Sequence, residues 1–146
     1  MDDDDDAGDA AAEAVVVQDP CLISVGGENL TVPAWISSKL FPHQKEGLEW
    51  LLARFFGDGG IRGGILGDGT GLGKTLQAIA LVATLVENQK AHTFLIVAPA
   101  SLTQHWEIEI RLWAPELEVA RVSNDSQITD AKHTLERLTR PGVSST

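Results

Sequence analysis

The sequence predicts an α/β domain with a parallel sheet, on three observations. A short apolar strand at Gly63 to Leu66 runs into a glycine-rich loop, Gly67-Asp-Gly-Thr-Gly-Leu-Gly73, and then into a helix opening on Lys74-Thr75. Thr93-Phe-Leu-Ile-Val-Ala98 is a continuous apolar run of the kind found in strands buried on both faces. Candidate elements alternate as strand–loop–helix–strand–helix–strand–helix, the order of strands joined by helical crossovers. No internal repeat interrupts this order.

Taken in order, the 146 residues begin with a tail at 1–20 that carries Asp2 to Asp6, Asp9, Glu13 and Asp19 and no Lys or Arg. Eight of the 21 acids lie there, which leaves 13 to face 11 bases in the body. The net charge of −10 therefore belongs mostly to the tail, which is expected to be disordered. Such a tail could mimic nucleic acid for a basic partner or serve solubility alone. Lys and Arg do not cluster in the body, so composition gives no sign of a broad electrostatic grip on DNA. The single cysteine, Cys21, excludes an internal disulfide and fits a reducing compartment. No apolar run reaches the ~18 residues of a membrane span, and an acidic N-terminus is the reverse of a signal peptide.

Cys21-Leu-Ile-Ser-Val25 and Leu30-Thr-Val32 flank Gly26-Gly-Glu-Asn29 and read as a hairpin. Pro33 to Leu40 is a connector or a single helical turn. Pro42 suits the first turn of a helix running to about Phe56, with Leu48, Leu51, Leu52 and Phe55 as its buried face. Gly57 to Gly60 is a loop. In the helix from Thr75 to Gln89, Leu76, Ile79, Ala80, Ala83 and Val86 form a stripe that Leu81, Val82 and Leu85 widen, so it packs on two sides. Ser101 is placed to cap a helix to about Trp113, with Leu102, Trp106, Ile110 and Trp113 along one side. Leu117 to Val122 reads as a weaker strand and Asp130 to Arg140 as a last helix.

The glycine-rich loop carries the chemistry. Gly71 and Gly73 let the backbone turn tightly and aim successive N–H groups at phosphate oxygens. Lys74 can reach the β- and γ-phosphates, and the Thr75 hydroxyl can ligate Mg²⁺. The helix behind them favours the same anion at its N-terminus. Strict phosphate-loop spacing has Gly at position 68, where this chain has Asp68; the alternative is a glycine-rich surface turn.

Beyond the loop, three motifs stand in order: Leu40-Phe-Pro-His-Gln-Lys-Glu-Gly-Leu-Glu-Trp-Leu51, Gly63 to Gln77, and Leu95-Ile-Val-Ala-Pro-Ala-Ser-Leu102 followed by Trp106. Together they resemble the start of the Swi/Snf-type ATPases of helicase superfamily two. Val32-Pro33 ahead of Leu40-Phe41, and Ile65-Leu-Gly-Asp68, look most like the Cockayne syndrome group B subfamily. The resemblance covers roughly residues 30–120. With the disordered acidic tail at 1–20 and the hairpin and connector at 21–40 read from composition and pattern, it implies that 41–146 is the N-terminal portion of a RecA-like, helicase-like ATP-binding lobe, ending before the acidic-pair motif.

The resemblance implies roles only where residues match. Gln44 stands where the family reads adenine, since an amide both donates to and accepts from a base edge; alternatively it is an exposed polar residue of a helix. Asp68, Gly69, Thr70, Gly71, Leu72, Gly73, Lys74 and Thr75 form the ATP cradle, with Thr75 on Mg²⁺ and Lys74 the single catalytic candidate. Asp68 is shared with the family. Gly69 and Thr70 depart from its usual acid followed by Met, which implies a looser loop and reduced affinity. Pro99, Ser101 and Thr103 match a segment that meets one DNA strand, where N–H groups and hydroxyls can contact phosphates without a basic patch; capping by Ser101 is compatible with that role. Trp106 and Trp113 read as core because they lie on the apolar stripe. The histidines at 43, 92, 105 and 133 lack metal-ligand spacing and read as surface or helix positions.

Hydrolysis in the family needs an acidic pair after a further apolar strand and arginines from a second lobe. No Asp-Glu pair follows residue 75 in this chain. The expectation is therefore ATP binding without unaided turnover, with the chain a fragment of a larger nuclear, DNA- or chromatin-directed ATPase. Without the acidic strand, Ile65 and Leu66 should lie on an exposed sheet edge. A stand-alone ATP-binding regulatory module and a vestigial chain remain as alternatives. A GTPase is disfavoured, because neither Asp-x-x-Gly nor Asn-Lys-x-Asp follows the loop.

Overall fold

A computed structural model describes residues 21–57, 60, 62–122, 132, 133 and 136. The acidic tail and most of the expected last helix, Asp130 to Arg140, lie outside the described residues. The expected hairpin forms, from β1 (Cys21–Val25) and β2 (Glu28–Val32), with Glu28 and Asn29 in the second strand rather than in the turn, paired antiparallel with Ile23 opposite Leu30. Gly26 and Gly27 form its turn at φ 59° and 77°. Two consecutive positive φ values match the right-handed twist of a two-residue hairpin. Ile23, Leu30 and Val32 share the buried face, while Leu22 points to solvent.

The connector contains one short helical segment, α1 (Ala34–Ser37), which buries Ile36. After it, α2 (Pro42–Phe56) begins with proline in its first turn and stops at Gly57, a left-handed residue at φ 74°. Leu48 and Leu52 are buried as expected, but Phe55 is exposed, and the third buried position of α2 is Gln44.

The centre of the fold is α3 (Lys74–Glu87), packed against α2, β2 and α4 (Ala100–Trp113). Apolar surface around most of its circumference makes that possible, and Ile79, Ala80, Ala83 and Leu85 are buried. Its C-terminal end is tied to the hairpin by Asn88, which accepts from Thr31 N at 3.0 Å and donates to Thr31 O at 2.8 Å. The carboxamide thus pairs with β2 as a neighbouring strand would. Trp106 and Trp113 pack half-buried against the core, and the Trp113 indole donates to Glu109 at 2.9 Å.

Three strand expectations are corrected. The sheet among the described residues is the antiparallel hairpin alone, and no parallel sheet is present there. Gly63 to Leu66, Thr93 to Ala98 and Leu117 to Val122 are irregular segments. An apolar run supplies the side chains of a buried strand, but a strand exists only where a neighbour completes its ladder. Among the described residues these segments have no such neighbour, and Ile65, Leu95 and Val97 are 90%, 83% and 87% exposed. Ser101 does not cap α4 either. Pro99 occupies the cap position without a side-chain bond, and it is the Thr103 hydroxyl that donates to Ala100 O at 3.0 Å.

Candidate functional site

The site is assembled where the start of α2, the loop 67–73 and the start of α3 meet. Gly63 and Gly64 deliver the loop along α2. Gly63 N donates to Arg54 O at 3.2 Å, and a Cβ at Gly64 would collide with the Trp50 ring. The loop then turns through Gly71 and Gly73 at φ 84° and 81°, values that side-chain-bearing residues rarely adopt. Gly73 is also the N-cap of α3, so helical dihedrals begin at Lys74.

Gln44 connects α2 to this loop and is 4% exposed, which excludes its reading as an exposed polar residue. Its Oε1 accepts from Phe41 N at 3.0 Å and closes the first turn of α2. Its Nε2 donates to Leu72 O at 3.1 Å. His43 Nε2 lies 3.3 Å from the same carbonyl oxygen. A Cβ at Gly73 would collide with the Gln44 carboxamide, so the two segments approach as closely as glycine permits. A primary amide carries a second N–H and a second acceptor lone pair besides the ones used here.

Lys74 folds back across the loop and donates from Nζ to Asp68 O at 2.8 Å and Gly69 O at 2.9 Å. The ammonium is therefore held against the main chain at the start of the turn. No hydrogen bond among the described residues engages the N–H groups of Gly71, Gly73, Lys74 or Thr75. A helix start leaves such donors open, and open N–H groups at the positive end of a helix dipole suit an anion. This donor set fits a polyphosphate, and the adjoining Thr75 hydroxyl fits a hard cation bound with it.

Two contributors were not singled out from sequence. Gln77, fully buried in the first turn of α3, donates from Nε2 to Asp68 Oδ2 at 2.8 Å. The signal was available as a long polar residue on the face that Ala80 and Thr84 also occupy. His43 was placed correctly at an exposed helix position, but its neighbour Leu72 O is 29 residues away and could not be read from spacing. A cavity of about 450 Å³ opens beside the loop, lined by His43, Glu46, Gly47, Trp50 and residues 65–68.

Pro99, Ser101 and Thr103 lie at the N-terminal end of α4 and are not brought together with the loop by any hydrogen bond among the described residues. Ser101 is exposed there. No group of His, Cys, Asp and Glu among the described residues could hold a metal ion, and no helix of these residues is long and apolar enough to cross a membrane.

Residues 43–144 match the SNF2-related domain. The chain is 34% identical to "DNA excision repair protein ERCC-6-like" of Danio rerio over 121 residues, 83% of this chain and 8% of that protein. It is 43% identical to "SWI/SNF-related matrix-associated actin-dependent regulator of chromatin subfamily A containing DEAD/H box 1" of Rattus norvegicus over 97 residues, 64% of this chain and 9% of that protein. It is 31% identical to "DNA excision repair protein CSB" of Oryza sativa subsp. japonica over 139 residues, 89% of this chain and 11% of that protein. The chain thus spans about a tenth of the length of these relatives. No solved structure matches it. With most of its length covered by the domain match and its loop, glutamine and helix starts in the order the three motifs require, the chain belongs to the SNF2-related domain family.

Proposed function

We propose that this chain is the ATP-binding part of a DNA-dependent ATPase or translocase of the chromatin-remodelling, helicase-like family, and that it binds ATP without hydrolysing it alone. The observation that carries the reading is the set of open N–H groups at Gly71, Gly73, Lys74 and Thr75, in the same loop whose Asp68 and Gly69 carbonyls hold the Lys74 ammonium. Gly69, Thr70 and Leu72 complete the turn, and the Gln44–Leu72 bond fixes an amide beside it.

Each residue then has a separate task. The N–H groups and Lys74 bind and orient the phosphates, because oriented backbone dipoles and a cation cost no reorganisation when the anion arrives. Gln44 offers its remaining donor and acceptor to adenine. Thr75 would hold Mg²⁺, which supplies neutralisation of phosphate charge when bound with the nucleotide. No acidic pair follows residue 75 to prepare water for attack, so positioning without turnover is the expected outcome.

Pro99, Ser101 and Thr103 are proposed to meet a phosphate of double-stranded DNA through N–H and hydroxyl groups when the chain acts within a larger nuclear, chromatin-directed protein. The names of the relatives, which include excision repair and chromatin proteins, support that direction. Titration of the purified chain with Mg·ATP and with Mg·GTP tests the nucleotide reading. ATP-selective, saturable binding with no phosphate release agrees with it, and preference for GTP overturns it.

A further inference from the structure

The ATP-binding reading leaves Gln77 without a task, although it is the most completely buried polar side chain of the site. It sits three residues past Lys74, and its Nε2 donates to Asp68 Oδ2. Its Oε1 is buried and has no partner among the described residues. Opposite that oxygen lies Gly47, in the interior of α2, where a Cβ would collide with the Gln77 carboxamide. Both choices oppose stability. A buried acceptor without a partner has lost hydration for nothing, and glycine is a poor helix former. An apolar residue at 77 facing alanine at 47 would remove both penalties.

What the pair supplies instead is one charge-assisted hydrogen bond to a carboxylate. That carboxylate belongs to Asp68, at the position where strict phosphate-loop spacing has glycine. The main-chain carbonyl of the same residue holds Lys74 Nζ. A continuous line of contacts therefore runs from Gly47 in α2, through Gln77 in α3 and the Asp68 side chain, to the Lys74 ammonium.

We propose that Gln77 is a positioning residue: by holding the Asp68 carboxylate it sets the entrance of the phosphate loop, and through it the placement of Lys74. Gly47 is glycine to make room for that amide. This rests on the ATP-binding reading of the same site, but its test has a part that does not.

Gln77→Met removes the donor and the orphaned acceptor while filling similar space. In the nucleotide-free 146-residue chain, backbone ¹⁵N order parameters of residues 67–73 should fall, while the amide protection of the interior of α3 and the melting temperature do not. Affinity for Mg·ATP should drop roughly tenfold, the loss expected for one charge-assisted bond. Gln77→Glu sets two carboxylates together and should loosen the loop further. Adding Asp68→Asn to Gln77→Glu re-forms the bond with donor and acceptor exchanged, and should return loop order parameters and ATP affinity toward wild type. Unchanged loop order parameters in Gln77→Met overturn the positioning role whatever ATP does. A wild-type chain that takes no ATP overturns the nucleotide reading instead, while the relaxation measurement still reports on the tether.

Discussion

Gly27 and Gly73 hold nearly the same backbone angle, φ 77° and 81°, yet differ in what surrounds them. Around Gly27 a Cβ would meet open space, whereas at Gly73 it would collide with the Gln44 carboxamide. Replacement by alanine therefore separates conformational from steric demand. Gly27→Ala should cost about 1–2 kcal/mol, the penalty of a left-handed residue with a side chain. Gly73→Ala should cost more and should also break the Gln44–Leu72 bond. Denaturant melts of the two variants check this, with a larger loss at Gly73 as the expected result. The importance of Gly73 was legible in the sequence from its place before Lys74-Thr75. Its second constraint was not, because nothing in the spacing reveals that Gln44, 29 positions earlier, lies against it.

Among the elements, helices were legible and strands only locally so. Pro42, the Leu48–Leu52 spacing and Gly57 mark α2 within the chain itself, since helical hydrogen bonds are local. The hairpin was equally legible because its partner strand lies just past Gly26–Gly27. Thr93 to Ala98 failed as a strand because its ladder needs a distant neighbour, which the run itself does not encode. The segment after α4 is held by a different device. Glu107 accepts from Arg111 on its own helix at 3.0 Å and from Arg121 at 3.0 Å, tying 117–122 back onto α4. Hydrogen bonding to Arg111 first, and to Arg121 against the opposing effect of burial, keeps its carboxyl below the usual carboxylate range. A depressed folded-state pKa stabilises above the unfolded value, and that contribution disappears as pH falls through the folded one. Wild type and Glu107→Gln should therefore differ at neutral pH and converge in acid, once the pH has fallen below the depressed folded-state pKa. Thermal melts across that range check it, and added salt should shrink the difference because Glu107 is only partly buried.

At the scale of the whole molecule, Ile65, Leu95 and Val97 leave apolar side chains in water on segments without a strand neighbour among the described residues. Unpaired apolar segments invite pairing between chains. The chain should self-associate as its concentration rises, and the double variant Ile65→Lys with Val97→Lys should remain monomeric to higher concentration in sedimentation. Every role proposed for the site depends on ATP binding at the loop. The most direct measurement is calorimetric titration of Mg·ATP into the wild-type chain and into Lys74→Ala, with GTP as competitor. Saturable binding that GTP does not displace, weakened roughly 100-fold in Lys74→Ala by loss of an ammonium worth about 3 kcal/mol to the phosphates, is the predicted result. Binding that is absent in wild type, or unchanged by the loss of Lys74, would contradict the account.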